Sequence, residues 1–132
     1  MLRSVLGVVV GVIVWMAGFY ALAMLLAVIW HDYALHGSQF FKDGVFTFTA
    51  PMACFHLLFW ALAEFVAGWA TMKIAKRREA VWVLAGLLAC YLALYHLVLY
   101  WPRFPWWYNL GVVIPAVFAV LLGGRLAGRK VV

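Results

Sequence analysis

Apolar residues gather in four long runs along this chain: Val5 to Trp30, Pro51 to Met72, Ala80 to Trp101 and Trp106 to Leu122. Every charged residue except Glu64 lies at a chain end or in a connection between runs. A helix that crosses a bilayer needs about 20 apolar residues, with a working range of roughly 17–25. The pattern therefore predicts an all-α polytopic membrane protein. Its four transmembrane helices, at about 5–30, 51–72, 80–101 and 106–122, form an antiparallel bundle in a single domain over residues 1–132. The first run contains Ala21-Leu-Ala23, an A-x-A pattern, yet stays apolar to Trp30. That is longer than the roughly 7–15 apolar residues of a secretion signal, so it is read as a retained span.

The connections set the expected arrangement. His31 to Ala50 is the only long one and is read as a loop. It ends in Thr47-Phe-Thr49-Ala-Pro51, which offers Thr49 as N-cap and a proline in the first helical turn. The other two connections are short, which makes the last three helices antiparallel neighbours. Small residues recur along each run: Gly7, Gly11 and Gly18; Ala53, Ala61, Gly68 and Thr71; Gly86, Ala89 and Ala93; Gly111, Pro115, Ala119 and Gly123. In lipid, helices associate by close backbone approach, so these stripes are expected on the buried faces.

Composition agrees with a membrane chain. Of 132 residues, 70% are hydrophobic and 11% charged, where a soluble domain is about half apolar and a quarter charged. Lys and Arg are distributed unevenly. Arg3, Lys73, Lys76, Arg77, Arg78, Arg125, Arg129 and Lys130 fall on one side of the predicted topology, and Lys42 and Arg103 on the other. The eight-to-two bias predicts both termini in the cytoplasm and disfavours a dual-topology antiparallel dimer. The net charge of +6 is then a topology signal rather than a nucleic-acid footprint. Membrane lipids are the expected surroundings, with a homo-oligomer or another membrane protein as the partner classes. Trp101, Arg103, Trp106 and Trp107 crowd one connection and read as interfacial anchors, with Arg103 placed to lie over a ring.

Few residues could carry chemistry. Cys54 and Cys90 lie inside runs and form no C-x-x-C pair, so they read as packing residues. There is no glycine-rich phosphate loop, no H-E-x-x-H and no Ser–His pair with an acidic third member. Glu64 interrupts the second run on the face that carries Trp60, Ala61, Ala67, Gly68 and Thr71. An ionisable group at membrane depth costs roughly 2.5–3.5 kcal/mol on insertion scales and marks a polar contact, a relay or an ion site. The neutral acid is expected there unless a cation or a water cavity reaches it, with a carbonyl freed by Pro115 or a group near Cys90 as its hydrogen-bond partner. His56 and His96 fall at matching depths on adjacent antiparallel helices, the geometry for two axial haem ligands or two metal ligands. His31 and His36 extend that set toward copper or zinc.

The segment Arg103-Phe-Pro-Trp-Trp-Tyr-Asn109, with the apolar run to Gly-Gly-Arg125-Leu-Ala, resembles the C-terminal part of a group of small four-span bacterial membrane proteins. The Thr-Phe-Thr-Ala-Pro51-Met52 stretch and Ala-Gly-Trp-Ala followed by Lys-Arg-Arg are similar as well. The resemblance implies a bacterial inner membrane and no particular activity. Small multidrug transporters differ, since they carry their essential glutamate in the first helix, and the first run here has no acid. Three readings follow. The first is a non-enzymatic accessory or interaction bundle without a cofactor, with Glu64 as a buried polar contact. The second is a small oligomeric proton- or cation-coupled transporter or channel unit using Glu64. The third is a b-type cytochrome or metal site on His56 and His96.

Overall fold

The structure, a computed structural model, describes residues 1–128, apart from the side chain of Phe41; Arg129 and Lys130 of the basic count lie outside the described residues. Four helical spans are long and apolar enough to cross a membrane. They are α1 (Leu2–Ile29), α3 (Ala50–Ala75), Arg78–Leu99, which begins as α4 (Arg78–Ala93), and α5 (Trp106–Gly128). No strand occurs among the described residues.

The fifth helix corrects the loop expected between residues 31 and 50. After one extended residue, Trp30, the chain forms α2 (His31–Asp43). Its inward residues Tyr33, His36, Gly37 and Phe40 follow the i, i+3, i+4, i+7 spacing of one helical face. Asp32 in its first turn and Lys42 in its last complement the helix dipole. Gly44 ends it in the left-handed conformation, at φ 68°. Thr49 does stand at the N-cap of α3, with Pro51 in the first turn, although its hydroxyl makes no capping bond. α3 is capped by Lys76, also left-handed at φ 55°, and Lys76 and Arg77 link it to α4. Beyond Ala93 the helix widens into a π-helical segment, Leu94–Leu99, closed by a bond from the Tyr100 N–H to the Tyr95 carbonyl. A 3-10 turn over Trp101–Arg103 then leads to α5.

α3 is the central helix. It packs along its length against α1 and α5, while α4 leans chiefly on α5. The reason is close backbone approach. A Cβ on Gly68 would collide with the Val120 carbonyl, and one on Gly123 with the Phe65 carbonyl, so α3 and α5 touch backbone to backbone. On the opposite side, a Cβ on Gly7 would lie 2.8 Å from the Ala75 Cβ. One on Gly11 would collide with Thr71 Oγ1, which instead donates to the Gly7 carbonyl at 3.1 Å.

Two of the expected small-residue stripes are rotated. In α4 the buried face is Leu84, Ala85, Leu88 and Leu92, while Gly86 is exposed with open space around it. In α5 it is Val112, Ala116, Val120 and Gly124, one residue away from Gly111, Pro115 and Ala119, which are half-buried, while Gly123 of the expected stripe is buried. The outward faces are also apolar, with Ile13, Val66, Trp82 and Phe118 all exposed. One end of the bundle carries Met1, the Lys73–Arg78 turn and Arg125, and is called here the basic end. The other, covered by α2 and the Trp101–Trp107 turn, is the aromatic end.

Replacing Gly68 or Gly123 by alanine is expected to overpack the α3–α5 contact and destabilise the bundle by about 1–3 kcal/mol. Gly86→Ala, in open space, is expected to be neutral or mildly stabilising. Thermal midpoints of the three variants in mild detergent, read as loss of the monodisperse species, check the contrast.

Candidate functional site

Glu64 lies at mid-helix on α3 and is 1% exposed. Its face continues toward the aromatic end through Trp60 and His56, at i−4 and i−8, and toward the basic end through Ala67, Gly68 and Thr71. Neither carboxyl oxygen has a hydrogen-bond partner. The contact expected from a carbonyl near Pro115 or a group near Cys90 is not formed, and Cys90 itself points outward.

His96, buried, and His56, half-buried, are each anchored by one ring nitrogen. His56 Nδ1 is hydrogen-bonded to the Tyr33 hydroxyl, 3.3 Å away, which reaches down from α2. Burial pushes the Tyr33 phenol up to about 12, so it stays neutral. His96, on the π-helical segment and 2% exposed, is 3.1 Å from Asn109 Oδ1 through its Nδ1. Asn109 has no freedom to turn over, because its Nδ2 donates to the Trp101 and Phe104 carbonyls at 3.4 Å each. The carboxamide oxygen must therefore accept, so His96 carries its proton on Nδ1 and leaves Nε2 bare. The Nε2 atoms of both histidines are buried without a partner.

Aromatic rings fill the space around them. Phe19 stacks on His56 at 5.3 Å and on Trp60 at 4.0 Å. Trp60 meets Trp15 at 5.6 Å and His96 at 6.2 Å. Tyr108 lies against both histidines, 6.2 Å from His56 and 6.1 Å from His96. A porphyrin held between the two imidazoles would have to displace this buried ring. Among the described residues no three His, Cys, Asp or Glu side chains converge on a point where a metal ion would sit.

The remaining expected residues lie apart from this interior. His31 is exposed at the start of α2. His36 Nδ1 donates to Thr47 Oγ1 at 2.8 Å, and that hydroxyl donates to Gln39 Oε1 at 3.4 Å. The bond braces α2 against the returning chain. Trp101, Arg103, Trp106 and Trp107 are all exposed at the aromatic end, and the Arg103 guanidinium lies over the Tyr100 ring at 5.1 Å. Arg103 also lines a surface cavity of about 420 Å³ together with Lys42, Asp43, Tyr95 and Tyr100.

Sequence reasoning missed Trp15, Tyr33, Tyr108 and Asn109, and placed Trp60 on the Glu64 face without giving it a part in the site. Only Asn109 carried a readable signal: it is the sole asparagine in the chain and sits inside an apolar run. Comparison with protein-family models, curated proteins and solved structures gives no match.

Asn109→Leu would strand the His96 Nδ1–H and two backbone carbonyls. A loss of about 1–3 kcal/mol in stability is expected, the cost of leaving such groups unpaired. In the intact protein, nitrogen NMR of labelled histidine should show His96 with Nδ1 protonated and Nε2 bare. Asn109→Leu should remove that preference.

Proposed function

We propose that the chain is a multi-pass protein of a bacterial inner membrane with both termini in the cytoplasm. There it acts as a small proton-coupled transport or conducting unit whose proton-binding group is Glu64. The basic end gathers Arg3, Lys73, Lys76, Arg77, Arg78 and Arg125, in keeping with the positive-inside bias. Exposed Trp101, Trp106 and Trp107 at the opposite end suit the headgroup level.

The observation that carries the reading is the carboxyl of Glu64, fully buried with both oxygens unpaired. A group that only glues helices together needs the other half of its hydrogen bond, and no described residue supplies it. A second protein cannot supply it either, since the side chain is closed to the surface. What suits such a group is a small, exchangeable guest. A lone carboxyl in apolar surroundings is stable as the neutral acid and takes or gives one proton at a time.

Two measurements check this. A reporter active only in the cytoplasm should give signal when fused after Val132 and none when inserted at Ser38. The reverse would refute the orientation. Purified protein in vesicles holding a pH-sensitive dye should pass protons under an imposed potential. Glu64→Gln, which keeps shape and hydrogen-bonding capacity, should fall to the level of protein-free vesicles while staying folded. Wild-type vesicles no leakier than empty ones would end the proposal.

A further inference from the structure

Five buried side-chain polar atoms among the described residues have no hydrogen-bond partner: Trp15 Nε1, His56 Nε2, both oxygens of Glu64 and His96 Nε2; a sixth, Trp60 Nε1, has only the Tyr108 hydroxyl within reach. Unpaired buried atoms are uncommon in folded proteins, and each calls for an explanation. Here they share one, because their five side chains are neighbours. His56, Trp60 and Glu64 follow one another at four-residue steps on a single face of α3, each step a rise of about 6 Å. Trp15 from α1 and His96 from the π-helical segment flank Trp60.

The chemistry of the six atoms is complementary. The two indoles can only donate. The bare Nε2 of His96 can only accept, given its tautomer. A neutral carboxyl does both. Matched donors and acceptors on neighbouring buried side chains are the usual setting of buried water, which makes two to four hydrogen bonds to such groups. A metal cation fits poorly. Alkali and alkaline-earth ions take about six or more oxygens, and the column offers the two of Glu64 beside two N–H donors that repel positive charge. Transition metals need converging donors, and no group of three exists among the described residues.

The column is closed toward one end. From Glu64 toward the basic end, Gly68 abuts the Val120 carbonyl, and the Thr71 hydroxyl is spent on the Gly7 carbonyl. Toward the aromatic end it ends at His56, whose two nitrogens differ: Nδ1 meets the Tyr33 hydroxyl of α2, and Nε2 is buried without a partner. An imidazole so placed can take a proton on one nitrogen and release another from the opposite one, returning to its starting charge. His96 cannot, because its Nδ1 is held by an immobile carboxamide.

Resting on the reading of Glu64 as a proton site, we infer that this column is a hydrated half-channel that brings protons, not metal ions, to Glu64 from the aromatic end. His56 is its relay, and His96, Trp15 and Trp60 orient its water. Nothing is oxidised or reduced. One proton enters at His56 Nδ1, one leaves from Nε2 to water, and one arrives at the Glu64 carboxylate.

Hydrogen–deuterium exchange of the full chain in vesicles tests the inference, followed by infrared spectroscopy of the protonated carboxyl. The band of interest is the one that Glu64→Gln removes. In the wild type it should shift promptly after transfer to deuterated buffer. His56→Gln keeps a polar contact to Tyr33 but cannot relay, and it should slow the shift by about a hundredfold or more, the usual contribution of a positioned proton shuttle. Trp60→Phe keeps the packing, removes the N–H and should slow it as well. Thr71→Val, on the closed side, should leave it unchanged. Exchange insensitive to both His56→Gln and Trp60→Phe overturns the half-channel, as does a band that does not shift over hours or a Thr71→Val protein as slow as His56→Gln. Absence of any carboxyl band that Glu64→Gln removes overturns it in favour of a bound cation. Proton flux through vesicles without relay-dependent exchange would refute only the half-channel. Relay-dependent exchange without flux would refute only the transport reading.

Discussion

Backbone contact between α3 and α5 is the constraint from which the rest of the molecule follows. Gly68 against the Val120 carbonyl and Gly123 against the Phe65 carbonyl leave no side chain between the two helices. Once they touch there, α3 has one remaining inward direction, and α1 takes it through Gly7, Gly11 and the Thr71 hydroxyl. The helix that carries Glu64 is thereby enclosed on both flanks. An apolar exterior gives no sorting by polarity, so small residues and their steric fit decide which face of each helix turns inward.

The two halves of the bundle differ in what separates the helices. In the basic half the spacers are hydrogens and methyl groups, of Gly7, Gly11, Ala67, Gly68 and Gly123, and the helices close on one another. In the aromatic half they are rings: Trp15, Phe19, His56, Trp60, His96 and Tyr108. Rigid planes tilted by 39° at one contact and 84° at another cannot fill space as methyl groups do. Their polar edges are left without protein partners. The change from close packing to ring packing falls at Glu64, which puts the carboxyl at the inner end of the looser half.

The four spans were legible because long apolar runs have few alternatives. The matching depth of His56 and His96 was also legible, since it needs only two helices and their lengths. What joins the two histidines was not: Tyr108 and Trp60 belong to runs so rich in aromatics that no single ring stands out. α2 escaped because its inward face is built from Tyr33, His36, Gly37 and Phe40, which carry the spacing of a helix without the hydrophobicity. The rotated face of α4 has a different origin. Small residues mark burial where backbones touch, as at Gly123 of α5, but α4 buries Leu84, Leu88 and Leu92 and leaves Gly86 outside. That helix is held at leucine distance rather than by backbone contact, so the small-residue rule does not govern it.

α2 ties these features together. It is joined to α1 through the single extended residue Trp30, and its root is packed by Leu26, Tyr33 and Met52. At its far end Gly44 turns the chain back, so that Phe46 lies against Tyr108 and Phe48 stacks on Tyr33 at 5.2 Å. The same Tyr33 whose ring fixes α2 in place also uses its hydroxyl to hold His56. Lifting α2 would therefore break the stack and the hydrogen bond together and expose the outermost polar group of the buried column to solvent. Cover and relay share one side chain, so the position of this short helix and the state of His56 cannot vary independently.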